Sequence, residues 1–268
     1  ASAACAALAA GCAPAGEEIG AAREAALSPN ALNPNALSPK ALSPDALSPG
    51  ALGSIEAPDS TGDLARELLL YTVSCAFDVD QSFDFSWTDA SGAAHAESYP
   101  GLNGLAPNWA AQPLDPTGQQ WVSDCLGARV NAEGVSVMLS IRGTSPALAA
   151  STAELEAYQT REGAFFGNLF NAPFKVYACY DPLSMVASVM AKRVCAQPFV
   201  AAPGSSTLTY DCGPIQVLGP CEQVVGQIAV GPCFAQDPVE RYFYDCAAPC
   251  SSAGVESITT FLQGSIPL

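Results

Sequence analysis

Any chemistry this chain performs must come from its cysteines, its one histidine or its carboxylates. The 268 residues hold eleven cysteines, and no two of them are spaced C-x2-C. Structural zinc sites are normally built from close cysteine pairs or from several histidines. Here the only histidine is His95. The cysteines are therefore expected to form disulfides, which persist in an oxidising compartment. No metal ligand set and no cofactor are implied.

His95 lies between alanines in Ala93–Tyr99, the return strand of an expected hairpin. A Ser/His/Asp or Cys/His nucleophile would have to use it, since the chain has no other imidazole. A histidine there is expected to be an ordinary strand residue. G-x-S-x-G, H-E-x-x-H and P-loop patterns are missing. Residues 78–89 place oxygens at several calcium-loop positions, but Phe83 stands where that loop needs glycine and Asp89 where it needs glutamate. Strand alternation already accounts for them.

Paired carboxylates are the remaining catalytic route. Glu162 sits among glycines and aromatics in REGAFFGN (161–168). Glycan cleavage needs two acids held at a set separation. Asp124 and Asp181 are the candidate partners. The structural alternative is a salt bridge from Glu162 to an arginine, with Arg142 as the expected one.

Ten Lys and Arg face 26 Asp and Glu, giving a net charge of −16 and a pI near 4.1. Phosphate backbones and anionic lipid surfaces are bound by clustered cations. Nucleic acid is thus excluded as an expected partner.

The elements that would position these groups are of both kinds. Ser60-Thr61-Gly62-Asp63 has capping-box spacing, and Leu64, Leu68, Tyr71 and Cys75 follow on one helical stripe. Asp115-Pro116 opens a second helix, with Trp121, Cys125 and Ala128 on one face and Gly134 placed to end it. A Cys75–Cys125 bridge between the two helices is expected. Phe83, Phe85 and Trp87 alternate with polar residues as a strand, Asp89–Gly92 turns, and Ala93–Tyr99 returns. Further strands are expected at Val135–Arg142 and Lys175–Tyr180, with short helices from Ser151 and over Met185–Val194. The fold class is α+β: a small mixed domain with two cysteine-linked helices and antiparallel strands, followed by a disulfide-rich loop region.

Before this domain, ALSPN ALNPN ALSPK ALSPD ALSPG (26–50) repeats a pentamer five times. Pro29, Pro34, Pro39, Pro44 and Pro49 each fix φ and remove a backbone donor, which neither a helix nor a central strand survives. A spacer is expected. A square pentapeptide β-helix would need more turns and does not carry proline in each unit. Upstream, Leu8-Ala9-Ala10-Gly11-Cys12 resembles the lipobox of bacterial lipoproteins. That likeness implies cleavage before Cys12 and its acylation. The expected organisation is 1–11, the end of an export signal; 12–57, a lipid-anchored tether; 58–200, the α+β domain; 201–268, a cysteine-rich extension packed on it. Without Cys5 and Cys12 nine cysteines remain, so one must be free or pair between chains.

ALNPNAL, LLYTVSCA (69–76), PGLNGLAP (100–107), QQWVSDCLGARVN (119–131), LSIRG (139–143) and EGAFFGNLF (162–170) together resemble a group of secreted or lipoprotein-like myxobacterial proteins with N-terminal ALxPN pentamers. The resemblance spans about residues 26–180. It implies a bacterial envelope location and brings no catalytic residue with it. The function expected is a non-enzymatic surface binding or assembly module, held at the outer membrane or cell surface by Cys12, with a surface protein or glycan as partner. The alternative is a carboxylate-dependent surface hydrolase acting on glycans, with Glu162 as its candidate catalytic residue.

Overall fold

The computed structural model describes residues 21–23, 55–131, 138–171, 174–181, 190, 193–194, 210–212, 214–225, 228–249 and 254–263. Cys12, the pentamers, Gly134 and most of the helix expected over 185–194 lie outside the described residues; within that span Met190, Arg193 and Val194 are helical.

The first helix, α1 (Ser60–Ala76), begins one residue earlier than its sequence signature. The cap is Asp59, whose carboxylate accepts from the amides of Thr61 and Gly62. This satisfies amides that the first helical turn leaves without partners. Leu68, Tyr71 and Cys75 are buried along the expected stripe. The hairpin follows as β2 (Ser82–Thr88) and β3 (Ala94–Pro100), which pair in full register from Ser82↔Pro100 to Thr88↔Ala94. Its turn is held by the Asp89 side chain, which accepts from the Ser91 and Ala93 amides, while Gly92 takes φ +88°.

The second helix, α2 (Pro116–Ala128), starts where Asp115 and Pro116 place it. It ends at Ala128, with Arg129 as its cap, well before the expected stop at Gly134. The reason is a side chain rather than a glycine: a guanidinium from residue 193 takes the final carbonyls, as described below. Cys75 and Cys125 are bridged, with S–S 2.00 Å and Cα–Cα 6.0 Å, as the two stripes imply.

The core sheet has seven strands. β4 (Met138–Arg142), β5 (Thr160–Asn168) and β6 (Lys175–Tyr180) come first, with α3 (Thr152–Ala157) capped by Ser151 between β4 and β5. The disulfide-rich region follows, and it carries strands as well as bridges. These are β7 (Tyr210–Cys212), β8 (Ile215–Pro220), β9 (Gln223–Val225), β10 (Ile228–Val230), β11 (Cys233–Gln236), β12 (Phe243–Cys246) and β13 (Ile258–Leu262). With β1 (Ala21–Arg23) at one edge, the order is β1-β4-β13-β5-β6-β8-β7. The sheet thus draws strands from both sides of residue 201. All its pairings are antiparallel except β6 with β8. The architecture is α+β. Because β1 pairs with β4, residues 24–54, which hold the pentamers, connect one sheet edge to the buried Ile55 ahead of α1.

Each face of the sheet has its own cover. On one, α1 and α2 pack Leu69, Val73, Trp121, Val122 and Leu126 against Leu139, Phe165, Val176 and Ile258. The approach is close at Gly127, where a Cβ would stand 2.7 Å from Val176 Cγ1. On the other, the β11–β12 hairpin covers Ala164, Phe166, Tyr177 and Cys179. The bridges Cys179–Cys221 and Cys233–Cys246 lie in this second layer.

The Cys75–Cys125 bridge closes a loop with a sequence separation of 50. In the chain-entropy account, a loop of that length stabilises by about 4 kcal/mol. The double variant Cys75→Ala/Cys125→Ala is expected to lose about that much in urea denaturation. A loss under about 1 kcal/mol would mean that helix packing alone fixes the pair.

Candidate functional site

Glu162 owes its position to a β-bulge. The β13–β5 register runs Thr260↔Gly163 and then Phe261↔Arg161, so Glu162 is the extra residue on β5. Bulges re-aim side chains. Gly163 makes this one possible, since a Cβ there would lie 2.0 Å from the Cys179 carbonyl oxygen. The Glu162 carboxylate is turned under the helical layer with no exposed surface. There it accepts from Arg193 Nε at 3.0 Å, Arg193 Nη2 at 2.6 Å and Thr260 Oγ1 at 2.8 Å. Arg193 Nη1 donates to the carbonyls of Ala128 at 2.8 Å and Val130 at 2.6 Å. A cation on the last carbonyls of a helix is favoured both by hydrogen bonding and by the helix dipole. One guanidinium thus ties the bulge of β5 to the end of α2.

The expected Glu162–Arg142 pair does not form. Arg142 leaves β4 towards the opposite cover. It donates from Nη2 to the Tyr158 carbonyl at 2.7 Å, from Nη1 to the Glu240 carbonyl at 3.0 Å and from Nε to Ser140 Oγ at 3.0 Å. Its guanidinium carbon lies 3.8 Å from the Phe261 ring centroid. Sequence distance could not distinguish Arg142 from Arg193; the bulge decides it by sending Glu162 to the helical side.

Asp181 and Asp124 are equally committed. Asp181 accepts from Arg161 Nε at 2.5 Å, and both side chains are buried. Arg161 also donates to Gln236 Oε1 and to the Arg241 carbonyl, and stacks 4.1 Å from the Phe243 ring centroid. This second guanidinium ties β5 to the β11–β12 hairpin. Asp124, on α2, is fully buried, and neither carboxyl oxygen has a well-formed hydrogen bond. Burial pushes its carboxyl well above the usual carboxylate range, opposed only in part by the Gly167 amide and reinforced by the negative charge of Glu256. Glu154, which the sequence did not single out, is buried as well and bonded to Ser140 Oγ at 2.5 Å. Burial raises its carboxyl above the ordinary value. No periodic signal marks Glu154 or Arg193. Their roles depend on strands far apart in sequence.

His95 is the cross-strand partner of Trp87, and the rings stack with centroids 4.5 Å apart. Its Nε2 lies 2.9 Å from Asp89 Oδ2. The Asp89 carboxyl is held well below its usual range, first by the Ser91 hydroxyl, then by His95 and the Ala93 amide. Arg66 covers Trp87, 3.5 Å from the ring centroid, and Glu97 accepts from the indole N–H. These contacts brace the hairpin on α1. Phe83 lies in β2, with strand rather than loop geometry.

A cleft of ≈ 250 Å³ opens at the start of α2, between Asn108, Pro113, Asp115, Thr117 and the two tryptophans Trp109 and Trp121. Sugar sites offer an aromatic face, but Trp109 is 1% and Trp121 6% exposed. Their rings serve the core. No family model, no curated protein and no solved structure matches this chain.

Two outcomes follow from the buried acids. Glu162→Gln leaves Arg193 buried without its counter-charge and is expected to cost about 3–5 kcal/mol; Glu162→Leu with Arg193→Met together should cost less than either change alone, both by chemical denaturation. Asp124 has a raised folded pKa, so folding retains a proton that the unfolded chain releases above about 3.9. Relative to Asp124→Asn, the native chain should therefore lose stability as pH rises from about 4 to 7. A pH-independent difference would show that Asp124 is charged in the folded state.

Proposed function

We propose that this chain is a non-enzymatic binding or assembly module of the bacterial envelope, attached through a lipid on Cys12. The observation that carries the non-enzymatic part is the fate of the acids. Glu162 and Asp181 are closed inside guanidinium pairs, and Asp124 is fully buried, with its carboxyl pushed above the usual range by that burial. An inverting or retaining glycosidase needs two acids facing one accessible bond. Glu162, with no exposed surface and two bonds from Arg193, has no access to a substrate.

The disulfides belong to an extracytoplasmic protein. No helix among the described residues is long and apolar enough to cross a membrane, and a lipid on Cys12 would supply the attachment. With β1 docked on β4, the chain from Cys12 to Ala21 reaches about 30 Å at full extension. With that short pairing released, the pentamers add their length, and the reach to Ile55 grows to about 130 Å in polyproline II geometry.

The surface that supports a binding role is the β2–β3 hairpin. It forms a sheet of its own, and Ser82, Asp84, Ser86, Thr88, Ala96 and Ser98 are exposed along its outer face. Phe83, Phe85 and Trp87 on the inner face are only half-buried. Such a hairpin presents backbone edges and partly covered aromatic side chains together. A surface protein or a glycan is the partner class proposed.

Membrane fractionation tests the attachment. The wild-type chain should stay in the pellet through high-salt washing and leave it in detergent, while Cys12→Ala should appear in the soluble fraction. Release of the wild type by salt alone would remove the anchor. Turnover of any member of a glycan and peptide panel by the purified domain would remove the non-enzymatic assignment.

A further inference from the structure

The two disulfides beneath the β11–β12 hairpin are not separate staples. Cys179, Cys221 and Cys233 have sulfurs within 4.8 Å of one another, all buried. Cys246 is bonded to Cys233. The sulfurs of Cys179 and Cys233, which belong to different bridges, are 3.7 Å apart. In a tetrahedral zinc tetrathiolate, a Zn–S bond of about 2.3 Å sets neighbouring sulfurs about 3.8 Å apart. One edge of that tetrahedron is already present between the bridges. Cys246 stands outside that set of three and is joined to it through Cys233, so its sulfur has to move inwards as the Cys233–Cys246 bond opens.

Backbone hydrogen bonds hold these four positions in addition to the sulfur bonds. Cys179 lies in β6, paired with Ala164 of β5. The Cys221 amide donates to the Tyr180 carbonyl at 2.8 Å, and the Cys233 amide to the Cys221 carbonyl at 3.1 Å. Cys233 and Cys246 are register partners in the β11–β12 ladder, and the Cys246 carbonyl accepts from the Val255 amide at 2.8 Å. The surrounding shell is Ala164, Phe166, Tyr177 and Phe243.

We infer that Cys179, Cys221, Cys233 and Cys246 form a single four-sulfur site that binds one thiophilic divalent cation, zinc in the first instance, whenever its two disulfides are reduced. Two dithiol molecules, one per bridge, each transfer two electrons and two protons, giving four cysteine thiols while each dithiol is oxidised to its own disulfide. Binding Zn²⁺ as the tetrathiolate then releases four protons. While the reduced chain folds, oxidant and metal compete for the same four sulfurs. The inference does not depend on the lipid anchor or on the binding role proposed above.

The full chain, reduced with a dithiol and held anaerobically, is titrated with Zn²⁺ and separately with Co²⁺. One tightly held equivalent is expected, with the intense visible bands of tetrahedral cobalt–thiolate coordination. Cys233→Ser and Cys179→Ser should each lose that spectrum, whereas Cys75→Ser should keep it, which separates this quartet from the chain's other thiols. Zinc-loaded protein should also resist oxidation, with these four cysteines open to alkylation only after a chelator is added, as read by mass spectrometry. If the reduced chain is unfolded, zinc should restore its circular dichroism in the wild type and not in Cys233→Ser. Failure of zinc either to bind the folded reduced chain or to refold the unfolded one would overturn the site. So would retention of the full cobalt spectrum by Cys233→Ser.

Discussion

An inner strand of the sheet comes from the last strand among the described residues. β13 lies between β4 and β5, bonded to both. Until Ile258–Leu262 arrive, β4 and β5 have no common neighbour, and Glu162 has no Thr260 to bond it. The strand is buried at every position, so it cannot be a late addition to a finished surface. It brings Ile258 to the helical cover, Thr259 to the Phe243 amide, and Phe261 beneath Arg142. Both layers are therefore completed by one strand. A sheet whose inner strand is set by contacts this distant in sequence has a high contact order, and loop closure must precede the contacts that repay it. The disulfides Cys179–Cys221 and Cys233–Cys246 shorten the free chain in the region just before that strand.

The two covers are joined to the sheet by guanidinium groups as well as by apolar contact. Arg193 binds the helical side to the β5 bulge, while Arg161 and Arg142 bind the β11–β12 side to β5 and β4. Each of the three lies against an aromatic ring. Arginine suits this use because its planar fork satisfies several carbonyls and a carboxylate at once. Buried ion pairs are poor sources of net stability, since desolvation offsets most of the attraction. Their value here is geometric. A sheet with apolar residues on both faces could accept a cover in several registers, and a guanidinium that must find named carbonyls accepts one.

Local signals were legible in the sequence, and long-range ones were not. Asp115-Pro116 gave the start of α2, Ser151 gave α3, the Phe83/Phe85/Trp87 alternation gave β2, and two helical stripes each carrying a cysteine gave the Cys75–Cys125 bridge. The first three depend on neighbours within a few turns of chain, and the bridge, 50 residues apart, was read from two stripes that are each local. The end of α2 was misplaced because a distant arginine terminates it, not a nearby glycine. The partner of Glu162 was misassigned for a related reason: a bulge reverses the side to which a strand residue points, and period-two counting does not register one extra residue. The strands after residue 210 are short and interrupted by glycine and proline, so they carry little alternation to read. Glu162 itself stood out correctly as an unusual acid. Glycines and aromatics around a carboxylate mark a tightly packed place, and tight packing serves a buried ion pair as readily as a catalytic acid.

This use of arginine also shapes the outside of the molecule. Arg66, Arg129, Arg142, Arg161 and Arg193 are all buried, which is half of the ten Lys and Arg in the chain. Buried acids number four, Asp124, Glu154, Glu162 and Asp181, among the described residues, against 26 in all. Cations are therefore removed from the surface in far greater proportion than anions. The field that a partner meets is more one-sided than a net charge of −16 alone conveys. Such a surface repels phosphate and anionic lipid headgroups and draws cationic faces towards it. The same acidity keeps neighbouring copies apart. The exposed outer face of the β2–β3 hairpin lies within that field, which favours the approach of a cationic surface.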